Sequence, residues 1–436
     1  MKWYKTALNK GFHVEKEIKE GGKSPFSITI NDEKTYQEVL GFGGAFTEAA
    51  AYNFSKMSEK SQKEILELYF DPISGLKYNL GRIAMNSCDF ALGNYTYVAD
   101  NDNALKTFNI DRERKWVIPM IKAAEKVSRS PVSLLVSPWS PPGWMKTTGQ
   151  MNHGGQLKKE FYPTWAQYFV TFLDHIKKEN IDVFAVSVQN EPAAVQTWDS
   201  CIYSPEEEAD FALNHLGPAL KASDHKDIKV LIWDHNRDII HERVRPILKD
   251  PKSKEFIWGV AFHWYVSEAF ENLSAVKQEF PDTHLIFTEG CIEGGVKLGE
   301  YHTGERYMRN MIGDFSNFCE AYIEWNLVLD MQGGPNHVGN YCDAPIICDP
   351  EFDVYHVNSS YHAIGHFSKH IQKGAVRIDS PTDHPFIKNV AFKNPSGDIV
   401  LIFQNETDEA TSIQLNHPTT STVIDVEPHS YSTIIF

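Results

Sequence analysis

Two glutamates carry the strongest chemical signal in this 436-residue chain. Glu191 follows the apolar run 182–189 in the tripeptide Asn190-Glu191-Pro192, and Glu289 closes the run 284–289. Cleaving a glycosidic bond with retention uses one carboxylic acid to protonate the leaving oxygen and one carboxylate to attack the anomeric carbon, the two about 5 Å apart. Proline ends the strand after Glu191, while the Asn190 amide beside it can donate to a sugar hydroxyl. A carboxylate ending a wholly apolar strand is poorly explained by pairing with a surface lysine. As a nucleophile Glu289 must be ionised, which calls for a cation such as Arg82 at the end of an earlier run. Its charge should in turn keep the proton on Glu191, so Glu191 is expected to titrate high until Glu289 is esterified.

Other residue types gather at the same strand ends. Trp139, Tyr265 and Trp325 follow or end three further apolar runs. Aromatic faces stack on the C–H faces of sugar rings, while Trp N–H and Tyr O–H reach hydroxyls, so these three are expected to line a sugar site. Asp89, just past the run 78–85, can accept from two sugar hydroxyls. His362, His366 and His370 are spaced as metal ligands on a helix can be, but no Glu follows the first to make HExxH, and a structural role is expected. The run Gly41-Phe42-Gly43-Gly44 lacks the Lys-Ser/Thr of a phosphate loop and reads as tight backbone packing. No metal and no cofactor is required by any of this.

Eight short apolar runs must position these groups: 40–46, 78–85, 132–138, 182–189, 228–234, 256–264, 284–289 and 321–327. Segments apolar every three or four residues lie between them, including 58–70, 112–127, 163–180 and 204–222, with Ser58 and Ser204 as helix starts. Eight strands joined by crossover helices make a closed (β/α)8 barrel, whose catalytic groups stand at the C-terminal strand ends. After residue 367 the pattern alternates with period two, and Asn394-Pro395-Ser396-Gly397 reads as a hairpin turn. The opening residues alternate as well. The expected domains are N-terminal strands in 1–38, a barrel in 39–366, and a C-terminal β-domain in 367–436, the two ends forming one side β-sandwich.

Composition narrows the partners. Forty-two Lys and Arg against 58 Asp and Glu leave a net charge of -16, which repels polyphosphate and anionic membranes, so nucleic acid is excluded as a partner. No apolar stretch is long enough for a signal peptide or an integral membrane segment, and a cytoplasmic location is expected. Six cysteines without a CxxC pair are expected to be reduced, and five Asn-x-Ser/Thr sequons then carry no weight.

Taken in order, GFGGAFTEAAA, NLGRIAMNSCDF, VSLLVSPWSPPGWMKT, NEP, HWY, IEWNL with GGPNHVGNY, and YHAIGHFSKHI resemble glycoside hydrolase family 30, the family of lysosomal glucosylceramidase and its bacterial relatives. The likeness runs from about residue 40 to the end. It implies a TIM barrel with a side β-domain, retention of configuration, Glu191 as acid/base and Glu289 as nucleophile. It also implies that Asp89, Trp139, Asn190, Tyr265, Trp325 and Asn340 line the subsite for the non-reducing sugar, with Arg82 and His263 behind them steering the nucleophile. A carbohydrate substrate is implied, a β-glucoside before a β-xyloside or a β-1,6-glucan. The loop after Glu191 reads as shorter than its lysosomal counterpart, so ceramide is not the expected aglycone. A non-catalytic glycan-binding protein is the rival from another class, which retention of both glutamates argues against.

Overall fold

A computed structural model describes residues 1–16, 24–418 and 420–436. The expected N-terminal range therefore contains residues 17–23, and the C-terminal range residue 419, that lie outside the description. Each of the eight apolar runs becomes a barrel strand: Gly41–Ala45, Leu80–Met85, Ser133–Pro138, Val183–Ser187, Lys229–Asn236, Gly259–His263, His284–Glu289 and Ala321–Asn326. They close into a barrel in chain order, with parallel registers such as Ala45 opposite Arg82 and Arg82 opposite Leu135. Strands covered on both faces read as continuous apolar runs rather than alternating ones, and five of the six residues of Ser133–Pro138 are buried.

Glycine in the first strand answers a steric demand. A Cβ on Gly43 would stand 2.1 Å from the carbonyl oxygen of Leu80, and one on Gly44 would stand 2.6 Å from Leu327 Cδ2. The second strand therefore approaches the first more closely than any side chain permits.

Helix boundaries follow the caps and prolines. Ser58 accepts from the Ser61 amide at the start of Glu59–Phe70, and Ser204 forms a full capping box with Glu207 at the start of Pro205–Phe211. Two expected helices are interrupted. The 112–127 segment breaks at Trp116 into Asp111–Lys115 and Val117–Ser128, because the Pro119 ring conflicts with the carbonyl four residues back, at Lys115. The 204–222 segment widens into a π-turn over Ala212–Leu216 before Gly217–Lys221, which accommodates the missing N–H of Pro218.

The chain divides into two compact units, one of residues 42–296 and 322–356, the other of 1–41, 297–321 and 357–436. The second unit holds a seven-stranded sheet in which Lys2–Ala7, Gly11–Lys16 and Asn31–Glu38 join four strands from beyond residue 375. A three-stranded sheet adds Ser27–Thr29 to Thr411–His417 and Thr420–Val426. Trp3, Ile28, Leu401, Phe403, Ile413 and Ile434 are part of the apolar core of this sandwich. Both chain ends thus build it, and the hairpin turn falls between Lys388–Lys393 and Ile399–Asn405. The helices Tyr301–Ser316 and Ser359–Ser368 group with it. His366 is fully buried there, its ring bonded to Thr6 Oγ1 and Thr433 Oγ1 at 2.8 Å each, a packed structural histidine. All six cysteines are free and buried. Among the described residues no helix is long and apolar enough to cross a membrane.

Gly43→Ala is expected to destabilise the protein by at least about 1–3 kcal/mol, the usual cost of overpacking, because backbone rather than a flexible side chain must yield. Urea unfolding of the two forms side by side measures it.

Candidate active site

The C-terminal strand ends open into a cavity of about 260 Å³ lined by Asp89, Trp139, Asn190, Glu191, Tyr265 and Glu289, with Trp325 and Asn340. Every residue expected to touch the sugar is in that lining. Arg82 and His263 are fully buried beneath it.

Arg82, on the second strand, organises the floor. Its Nη1 donates to Glu289 Oε2 at 2.6 Å, its Nη2 to Asp234 Oδ2 at 2.8 Å and Asn190 Oδ1 at 2.9 Å, and its Nε to Ser137 Oγ at 3.1 Å. The guanidinium lies 4.7 Å from the Trp139 ring centroid and 5.5 Å from that of Trp325, and the two indoles stack at 5.3 Å. Tyr265 OH donates to the other oxygen of Glu289 at 2.8 Å.

Asp234 lies near the C-terminal end of the fifth strand, Lys229–Asn236, and was not singled out from the sequence. It accepts from Arg82, from Ser187 Oγ at 2.6 Å and from Thr288 Oγ1 at 2.7 Å, and meets His263 Nε2 at 3.1 Å. Burial pushes its carboxyl up, but Arg82 and His263 outweigh burial and hold it far below the usual carboxylate range. The signal was legible, since an acid closing the apolar run 228–234 is the same pattern that marked Glu289. His235, Asn236, Gln196, Trp198, Cys291 and Glu293 also line the cavity. His235 and Asn236 close the fifth strand, and the other four sit on loops beyond the strands, where no period distinguishes a lining side chain from a solvated one.

His263 hydrogen-bonds Glu191 and Asp234, its Nδ1 3.1 Å from Glu191 Oε1; its bonds do not run to Glu289. Burial alone would keep the ring neutral, but Glu289, Asp234 and Glu191 surround it, and its pKa rises from 6.5 to about 9. The expectation that Glu191 titrates high is therefore reversed. Burial raises Glu191, yet His235 and His263 lower it further, with Gln196 assisting, and it falls to about 2. Glu289 moves up instead, because burial and the charge on Glu191 exceed what His263, Arg82 and Tyr265 return. The two groups move in opposite directions, His263 up and Glu191 down, across one hydrogen bond.

Backbone geometry aims these groups. Glu191 has φ 49°, Trp233 φ 73° and Asp234 φ 48°, left-handed values that are strained for residues with a Cβ. Two cross-strand bonds hold them: Asn190 N to Pro138 O at 2.8 Å and Glu191 N to Asp234 O at 2.9 Å. Asp89 accepts from Asn336 Nδ2 at 3.1 Å and Asn340 Nδ2 at 3.2 Å. Burial, with the Glu289 charge, lifts it to about 7 against those two bonds, so near neutrality it both donates and accepts.

Comparison with known proteins agrees with this geometry. The Glycosyl hydrolase family 30 TIM-barrel domain matches residues 39–371, and the Glycosyl hydrolase family 30 beta sandwich domain matches residues 374–434. The lysosomal acid glucosylceramidase of Mus musculus is 36% identical over 430 residues, covering 93% of this chain and 82% of that protein. The crystal structure of SrfJ from Salmonella typhimurium superposes with a TM-score of 0.95 at 35% identity, covering 100% of this chain and 99% of the other. The endo-β1,6-glucanase BT3312 does so with a TM-score of 0.88 at 28% identity and the same coverage. A barrel with two buried glutamates at the ends of its fourth and seventh strands, a sandwich built from both termini, and these matches lead to one conclusion: the chain belongs to glycosyl hydrolase family 30 and is a glycoside hydrolase.

Proposed function

We propose that this enzyme hydrolyses β-glucosides with retention of configuration, Glu289 serving as nucleophile and Glu191 as acid/base. The observation that carries the reading is that two buried carboxylates on separate strands line one cavity and are tied together through Arg82, Asp234 and His263.

The first step needs a proton on Glu191 and a charge on Glu289. Moving the proton from His263 Nδ1 to Glu191 Oε1 crosses one hydrogen bond and turns an ion pair into a neutral pair, so the net charge of the site is unchanged. It removes the Glu191 charge that pushes Glu289 up together with the His263 charge that holds it down, so the ionisation of Glu289 then rests on Arg82 and the Tyr265 hydroxyl. Glu289, held by Arg82 and Tyr265, then attacks the anomeric carbon while the bond to the leaving oxygen breaks and that oxygen takes the proton from Glu191. In the second step Glu191 accepts a proton from water, the water oxygen bonds to the anomeric carbon, and Glu289 departs as a carboxylate. Trp139 and Trp325 offer faces to the sugar ring, and Asp89, with Asn190 and Asn340, reaches its hydroxyls.

The mouse relative's name supports a glucosyl group in the cavity, with glucosylceramide as the lipid member of the substrate panel. The likeness to an endo-β1,6-glucanase over the whole chain supports a second reading, cleavage of β-1,6-linked glucan with glucose in the same subsite. Rates on an aryl β-glucoside, an aryl β-xyloside, gentiobiose, β-1,6-glucan and glucosylceramide discriminate them. No turnover of any member would leave only glycan binding.

Glu289→Gln is expected to abolish turnover of an aryl β-glucoside, and a variant keeping near-native rates would sink the assignment. Glu191→Gln should lose about 10²–10⁴-fold on substrates whose leaving group needs a proton, and far less on a dinitrophenyl glucoside, whose leaving group does not.

Asp234→Asn leaves buried Arg82 and His263 short of one countercharge, a loss of about 3–5 kcal/mol. The native His263 pKa is raised from 6.5 to about 9, so the stability tied to its proton is complete below pH 6.5 and lost as pH rises through about 9. The variant should lose it at lower pH, an effect read from melting temperatures across that range. Parallel curves for the two proteins would contradict the linkage.

A further inference from the structure

We propose that Glu191, His235 and His263 together form a binding site for one divalent transition-metal ion of the zinc class. The ion is not a cofactor of the reaction: it takes the place of the proton that the reaction uses.

Among the described residues these three make a cluster whose ligating atoms, one from each side chain, all lie within 4.8 Å of one another. Glu191 Oε1 stands 3.1 Å from His263 Nδ1 and 3.5 Å from His235 Nδ1. A tetrahedral zinc ion with bonds near 2.0–2.1 Å holds its ligand atoms about 3.3 Å apart, so both spacings suit a shared ion after shifts of a few tenths of an ångström. The donor set, two imidazoles and a carboxylate, is one that zinc and its neighbours accept, while calcium and magnesium prefer oxygen alone.

Two features of the imidazoles point the same way. His235 Nδ1 is buried and has no hydrogen-bond partner, which leaves its lone pair or proton unsatisfied beside a carboxylate. His263 presents Nδ1 toward Glu191 while its Nε2 lies 3.1 Å from Asp234 Oδ1. That is the carboxylate–histidine–metal arrangement, in which the far nitrogen donates to a carboxylate and the near one is fixed as the ligand. Glu191 and His235 also line the open cavity, so water has access to a fourth position.

The ion site stands on these contacts alone. That its occupancy stops turnover rests on the reading of Glu191 as acid/base, since a carboxylate bound to zinc neither carries nor receives the transferred proton.

The test uses the full chain, stripped of metal by chelator and titrated calorimetrically with zinc chloride at mildly alkaline pH, where imidazoles yield protons to metal. One zinc per chain is expected. His235→Asn, and His235→Gln as an independent variant, should weaken binding by more than about tenfold, because losing a ligand exceeds the loss from a supporting partner. Glu289→Gln, inactive but without a lost ligand, should keep binding zinc. Absence of one-to-one binding at submillimolar zinc, or affinity in both His235 variants equal to that of the native protein, overturns the site. One-to-one binding through His235 that leaves aryl β-glucoside turnover intact upholds the ion site and removes Glu191 from the acid/base role.

Discussion

The constraint on which the rest depends is a guanidinium with no access to water. Arg82 is completely buried, and an ion of that size loses several kcal/mol of hydration when it enters the interior. Two carboxylates, an amide oxygen and a hydroxyl from four other strands or strand ends restore that loss. The cation thereby dictates where Glu289 and Asp234 stand, and Asp234 dictates the orientation of His263. Glu289 and Glu191, the proposed nucleophile and acid, are placed by one chain of contacts that starts at a single side chain.

This chain of contacts separates two carboxylates that are chemically alike. Glu289 faces a permanent charge, which cannot move a proton. Glu191 faces an imidazole, which can. The difference in neighbours, rather than in burial, is what suits one group to the proposed bonding with carbon and the other to the proposed proton traffic.

Much of this was readable in the residues. The eight barrel strands coincide with the eight apolar runs because parallel strands buried on both faces need uninterrupted apolar sequence. Alternation after residue 367 and at the start foretold the sandwich, and Ser58 and Ser204 foretold two helix starts. Helix interiors were less legible, since Pro119 and Pro218 interrupt segments whose apolar period continues through them. The direction in which Glu191 shifts depends on His235 and His263, whereas the sequence reading weighs charge between the two glutamates alone and sets His263 behind Glu289. Asp234 carries the same mark as Glu289, an acid closing an apolar run, whereas the contacts that join it to Arg82 and His263 come from separate strands and leave no trace in local pattern.

The strands that supply Arg82, Glu191, Asp234, His263 and Glu289 are the second, fourth, fifth, sixth and seventh of a ring that closes in chain order. No pair of them adjacent in sequence makes a site, and the cation of the second strand meets its partner on the seventh only when the ring is shut. The completeness of the site is therefore a gauge of closure: a chain in which any one of these strands stands outside the ring lacks one member of the buried network.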